Sequence, residues 1–135
     1  MIKGLSHITL VVADLDEMQG FLETALDSRC VYHSDEAQSL LSETRFYQIG
    51  DVWIAIIKGD ALPGRTYNHI AFKIDDADFE TCQARLEAAD IDLLPTRLRV
   101  EGQGRSLYFY GPGNHLFELH TGTLEQRLAG YIPGV

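Results

Sequence analysis

Cysteine is scarce in this sequence: Cys30 and Cys82 are the only two in 135 residues, and no CxxC spacing joins them. The chain is therefore read as one with reduced thiols rather than as a disulfide-stapled scaffold. Basic charge is scarce as well, with 11 Lys and Arg against 20 Asp and Glu, a formal charge of −9 and a pI near 4.8. That balance argues against nucleic acid or an anionic membrane surface as partner, since both need a basic face to replace counterions. Any anionic substrate must be met by locally gathered arginines. No apolar run approaches the ~20 residues of a membrane span. The opening stretch "MIKGLSHITL" lacks the long apolar core and small-residue cleavage site of a signal peptide. The expectation is a soluble, cytoplasmic protein.

What the chain does have is a 45% hydrophobic content, enough to fill a core, in a length that suits one domain or two small repeated modules. A repeat is visible. "LSHITLVVADLD" (5–16) set over "YNHIAFKIDDAD" (67–78) superimposes His7 on His69 at an offset of 62, together with the isoleucines that follow and two aspartates. Each segment is an apolar strand leading into a helix. Asp14 is a suitable N-cap for the first helix, and Asp75 or Asp76 for the second. Helical spacing of Met18, Phe21, Leu22 and Leu26, and of Phe79, Cys82, Leu86 and Ala89, gives each helix one apolar face.

Short strand candidates follow each helix. They are "CVYHS", "TRFYQI" and "VWIAIIK" in the first module, with a "GD" turn at 50–51, and "IDLLP", "RSLYFY" and "HLFELH" in the second, with "GPGN" at 111–114. The predicted architecture is α+β, two tandem βαβββ modules over 1–62 and 63–135. "KGDALPGR" is the linker, and "TLEQRLAGY" a short C-terminal helix.

Alternate residues of a strand share a face, so His7 sides with Thr9 and Val11, His69 with Ala71 and Lys73, and Glu118 with Leu116 and His120. A lone histidine on such a strand is ordinarily a hydrogen-bonded core or surface residue. Two at equivalent repeat positions are a different matter, because a pseudo-twofold relation brings both first strands together. Glu118 lies on the last strand of the second module, where the first module has the apolar Ile56. The asymmetry suggests one shared site of two imidazoles and one carboxylate with open positions, suited to Mn²⁺, Fe²⁺, Zn²⁺ or Ni²⁺.

The paired modules with "SHIT", "NHIAF" and "FELH" resemble the vicinal oxygen chelate superfamily. Within it, "RTYNHIAF", "RVEGQGRSLYFY" and "NHLFELHTGTLEQRL" resemble the fosfomycin-resistance branch that hydrates an epoxide, from residue 1 to about 129. The resemblance implies a divalent metal, Mn²⁺ foremost, on His7, His69 and Glu118. It also implies a domain-swapped homodimer in which His7 comes from one chain and the other two ligands from its partner. The implied substrate is fosfomycin, a small epoxide bearing a phosphonate dianion. Arginine suits a phosphonate because its planar fork donates paired, charge-assisted hydrogen bonds.

By resemblance, Arg127 matches a phosphonate-binding arginine of the related glutathione-transferring enzymes, and Ser106 and Tyr108 match their phosphonate-side hydroxyls. Arg99 and Arg105 belong to the "RVEG.GRS" block of the hydrolase branch; Arg97 is left unassigned. Thr9 matches a threonine beside the oxirane oxygen, and Tyr67 and Trp53 are candidate pocket walls.

One position departs from that pattern. The hydrolase branch keeps its general base as a glutamate on the strand after "LS". Here "LLSETRF" (40–46) puts Thr44 at that position and Glu43 one place earlier. A β-bulge over 40–42 would bring Glu43 to the pocket, whereas a regular strand turns it to the opposite face. Loss of a general base typically costs about 10²- to 10⁴-fold. Thiol transfer to the same epoxide needs a base less, since a thiol's pKa lies far below water's. Non-catalytic sequestration of a phosphonate, or another reaction of the superfamily, are the remaining readings.

Overall fold

The computed structural model describes residues 1–34, 43–95 and 102–131. The chain divides into two compact units, Met1–Arg65 with Pro112–Asn114, and Thr66–Gly111 with His115–Val135. Each carries one β-α-β-β-β module.

In the first unit β1 (Ile8–Val12) leads into α1 (Leu15–Ala25), followed by β2 (Arg29–His33), β3 (Thr44–Ile49) and β4 (Val52–Lys58). The sheet order is β1-β4-β3-β2, with β1 parallel to β4 and the other pairs antiparallel. Asp14 caps α1, its Oδ1 accepting from the Glu17 amide at 3.0 Å. A two-residue turn joins β3 to β4, and Gly50 supplies the φ of +57° that such a turn needs.

α1 packs on β4, and Met18 and Leu22 of the helix and Ile54 and Ile56 of the strand are all essentially inaccessible. Burying each such side chain is worth roughly 1.5–3 kcal/mol. Arg45, next to this core, donates to Asp16 Oδ1 and Gln19 Oε1, both at 2.8 Å. Tyr47 donates its hydroxyl to the same Gln19 oxygen at 3.0 Å. Burial pushes the Tyr47 phenol up to about 12.

The second unit holds β5 (His69–Lys73), α2 (Phe79–Ala88), β6 (Asp92–Leu93), β7 (Ser106–Tyr110), β8 (Leu116–His120) and α3 (Leu124–Tyr131). Its sheet order, β5-β8-β7-β6, repeats that of the first. Phe117 of β8 is fully buried and stacks on Phe72 of β5 and Phe109 of β7, with ring centroids 6.4 and 6.1 Å apart. Phe79 and Leu86 of α2 complete the core, while Cys82 and Ala89 are only half-buried.

The second helix starts differently from expectation. A 3₁₀ turn over Asp76–Asp78 precedes α2, and neither Asp75 nor Asp78 makes a side-chain cap. The Asp76 carboxylate is taken instead by Arg105, whose Nε donates to it at 2.9 Å. The strand expected over 91–95 is also shorter, with only Asp92 and Leu93 in ladder geometry. The terminal helix begins in a capping box: the Gln126 amide donates to Thr123 Oγ1 at 3.1 Å, and the Thr123 amide to Gln126 Oε1 at 2.9 Å. Among the described residues no helix is long and apolar enough to cross a membrane.

Candidate metal centre

Strand alternation and register place the functional side chains of the second unit. Across β5, β8 and β7 the paired rows are His69–Leu116–Tyr110, Ala71–Glu118–Tyr108 and Lys73–His120–Ser106. The odd-numbered strand residues of β5 and the even-numbered ones of β7 and β8 thus share the face opposite the Phe72, Phe109 and Phe117 core.

On that face Nε2 of His69 lies 3.0 Å from Oε1 of Glu118. The other ring nitrogen, Nδ1, lies 2.7 Å from the Tyr67 carbonyl oxygen. A carbonyl only accepts, so Nδ1 carries a proton, and a neutral ring then turns its Nε2 lone pair towards a carboxylate oxygen. Two electron-rich atoms at that distance require a positive charge between them, a proton or a metal cation. An imidazole oriented by a carbonyl and paired with a carboxylate is a donor set that a divalent first-row metal accepts. Glu118 is buried at 5% exposure, and its second oxygen accepts from the Ser106 hydroxyl at 2.5 Å. That same hydroxyl lies 2.7 Å from Nδ1 of His120.

Aromatic rings frame the pair. Tyr108 meets His69 edge-on at 5.3 Å between centroids, Tyr67 lies 5.0 Å from the same ring, and the Tyr67 hydroxyl donates to Tyr108 Oη at 3.3 Å. Burial, the Tyr67 hydroxyl and the Glu118 carboxylate together raise the Tyr108 phenol well above its ordinary value. It is a neutral hydrogen-bonding group at neutral pH.

The first unit presents its own array. His7 packs against Trp53 at 4.3 Å between centroids, with Nδ1 2.9 Å from Ser6 Oγ. Trp53 in turn meets Phe46 at 5.2 Å, and Phe46 meets Tyr32 at 5.0 Å. Register puts Thr9 opposite Ala55 and Ala55 opposite Phe46, with Val11, Ile57 and Thr44 forming the adjacent row. Thr9, Thr44, Phe46 and Trp53 therefore share one sheet face.

Glu43 does not. It lines a hollow of about 310 Å³ on the other side, at the start of α1, with Asp14, Asp16, Arg45 and Lys58. Thr44 pairs with Ile57 in regular antiparallel register, so alternation sends Glu43 the way of Arg45. The bulge considered over 40–42 lies outside the described residues.

Among the described residues no cluster of three or more His, Cys, Asp and Glu side chains is suited to a metal ion. The sequence-predicted ligands are therefore found as the pair His69–Glu118 in the second unit and as His7 alone in the first. Residues 4–119 match the Glyoxalase/Bleomycin resistance protein/Dioxygenase superfamily. The chain belongs to that superfamily. Among its members, fosfomycin resistance protein FosX of Mesorhizobium japonicum is 54% identical over 135 residues, covering all of this chain and 97% of the relative.

Metallothiol transferase FosB of Shouchella clausii is 36% identical over 137 residues, covering 97% of this chain and 88% of the relative. A crystal structure of a mutant FosX from Listeria monocytogenes, complexed with Mn(II) and 1S,2S-dihydroxypropylphosphonic acid, is 46% identical with a TM-score of 0.87. It covers 98% of this chain and 100% of that one.

Against the other expected substrate residues of this superfamily member, the placements divide. Tyr108 and Tyr67 stand beside His69, as described. Arg105 does not join them: Nε and Nη1 donate to Asp76 at 2.9 Å and Glu80 at 2.7 Å, and the guanidinium lies 4.1 Å over the Phe79 ring. The alternation that turns Ser106 and Tyr108 to one face turns Arg105 to the other, against the helix. Arg127 is exposed on α3. Arg97 and Arg99 lie outside the described residues. Sequence reasoning placed His120 on the face of Glu118 but gave it no role.

Proposed function

We propose that this chain is a metal-dependent fosfomycin-resistance enzyme that opens the epoxide of fosfomycin by adding water. The carrying observation is 54% identity over the whole chain with a FosX protein. The Listeria relative, complexed with Mn(II) and a dihydroxypropylphosphonic acid, supports both the metal and the product, since that diol is what water and the epoxide yield.

His69 and Glu118 would hold the metal, Mn²⁺ foremost, with His7 of the partner subunit as third ligand in a swapped homodimer. A bound divalent cation supplies Lewis-acid stabilisation of the oxygen released on ring opening. The chain's own groups orient the substrate. The phosphonate falls to Arg127, Arg99 and the Tyr67–Tyr108 hydroxyl pair; the partner subunit's Thr9 and the partner subunit's Trp53, which accompany His7 on the first unit's sheet, would meet the oxirane oxygen and the methyl side, and together these contacts fix the angle of attack. We place the reaction in the cytoplasm, in keeping with the free thiols of Cys30 and Cys82.

The weak element is proton removal from water. Thr44 faces the same side as Thr9 but lacks basicity near neutral pH, and Glu43 points away. That observation favours a second reading, thiol transfer to the same epoxide, in which a thiolate needs less help; the relatives named metallothiol transferase FosB are in keeping with it. Sequestration without turnover is the limiting case.

³¹P NMR of fosfomycin with metal-stripped protein and added Mn²⁺, with and without glutathione, separates the three. A diol resonance in the tube without thiol is the expected result. A thiol adduct alone would make the chain a transferase. An unchanged spectrum in both tubes would reduce it to a binding protein.

A further inference from the structure

The metal reading accounts for one oxygen of Glu118; the other is engaged in a chain of contacts that reading does not use. Ser106 stands directly opposite His120 across the β7–β8 ladder. Its hydroxyl lies 2.5 Å from Oε2 of Glu118 and 2.7 Å from Nδ1 of His120, and Nδ1 itself is 3.4 Å from Oε2. Ser106 and Glu118 are both buried, at 9% and 5% exposure.

The direction of the bonds follows from donor counts. An ionised carboxylate only accepts, so the single proton of the Ser106 hydroxyl goes to Oε2. Its oxygen is then an acceptor for an Nδ1–H of His120. The imidazole thereby locks a rotor that could otherwise swing its proton elsewhere. A Cβ on Gly122 would stand 2.7 Å from Nε2 of His120, so the ring is seated where only a glycine leaves room.

We infer that His120 is a positioning residue: through Ser106 it holds Oε2 of Glu118 and leaves Oε1, beside His69, as the oxygen that ligates the metal. This rests on the metal-dependent reading above. In this arrangement the Ser106 proton is directed at the carboxylate. Supporting groups of this kind typically cost about 10- to 100-fold in metal affinity when removed.

The test is Mn(II) binding to the metal-stripped full chain, followed by the loss of the free-ion EPR signal, together with the melting temperature of each metal-free variant. His120→Leu is expected to weaken Mn(II) binding by about 10-fold or more. Ser106→Ala should do the same, and the double variant should lose little beyond either single one, because the two act in series. His120→Asn, whose amide nitrogen can stand where Nδ1 stood, should bind within about threefold of the wild type. Should leucine unfold the metal-free chain, His120→Gln removes the donor from the Nδ1 position while keeping a polar side chain.

Unchanged affinity in His120→Leu or His120→Gln overturns the inference. So does an additive loss in the double variant, or an equal loss in His120→Asn. A wild-type chain that binds no Mn(II) removes the functional reading, and this inference with it.

Discussion

Nε2 of His69 faces Oε1 of Glu118 at 3.0 Å, while its Nδ1 is held by the Tyr67 carbonyl at 2.7 Å. The pair forms because β5 and β8 run parallel in a register that sets Ala71 opposite Glu118, bringing the imidazole two residues earlier within reach. His69→Ala or Glu118→Gln is expected to cost more Mn(II) affinity than the roughly 10- to 100-fold of a supporting residue, and to abolish turnover. Calorimetric titration with Mn(II) checks it.

Thr44 shares its sheet face with Thr9, and Glu43 does not. Thr44→Glu is therefore expected to raise the rate of fosfomycin hydration by about tenfold or more, part of the 10² to 10⁴ a general base supplies. Glu43→Gln should leave that rate within about twofold. Diol formation followed by ³¹P NMR decides between them, and a rate lost in Glu43→Gln would reverse the assignment.

Arg105 and Arg127 should separate cleanly. With its guanidinium on Asp76, Glu80 and Phe79, Arg105→Ala is expected to lower the melting temperature while leaving KM for fosfomycin within about twofold. Arg127→Ala should raise KM, or lower kcat/KM, at an unchanged melting temperature. Steady-state kinetics beside thermal melts provide both readouts.

The Arg105 guanidinium holds the Glu80 carboxyl below its ordinary value of 4.5. A carboxyl with a depressed folded-state pKa binds fewer protons folded than unfolded. Its contribution is therefore present above the unfolded pKa and is lost as the pH falls through the folded one. Melting curves of the wild type should decline below about pH 4.5, and Glu80→Gln should decline less steeply there. The expected difference is small, because Glu80 is solvent-exposed and Arg105 is partly so.

Gly104 has φ of +83°, and a Cβ there would lie 2.4 Å from the backbone nitrogen of Gly122. Gly104→Ala meets backbone rather than a movable side chain, so a destabilisation of about 1–3 kcal/mol is expected from the strained conformation alone. Chemical denaturation measures it.

Much of this was legible in the order of residues. The 62-residue offset of His7 and His69 announced two like modules, because equal patterns of apolar and polar residues must bury equal faces. The apolar faces of α1 and α2, the Asp14 cap and the Gly50 turn were readable for the same local reason: each depends on contacts within a few residues. Alternation along β8 was enough to set Glu118 and His120 on one face.

Register and competition between partners lie beyond that reach. Asp76 looked like a helix cap, yet its carboxylate goes to Arg105, 29 residues away. Arg105 was expected at the substrate, and the strand's phase sets its guanidinium against Asp76, Glu80 and Phe79. Whether Glu43 or Thr44 enters the pocket depends on the pairing of Thr44 with Ile57, a contact between strands. The sequence by itself determined which chemistries the chain carries: imidazoles, a carboxylate, arginines, and a threonine rather than a glutamate at position 44. Only the tertiary structure decided which of them meet, because a side chain's face is set by hydrogen bonds to a neighbouring strand that its own sequence neighbours do not specify.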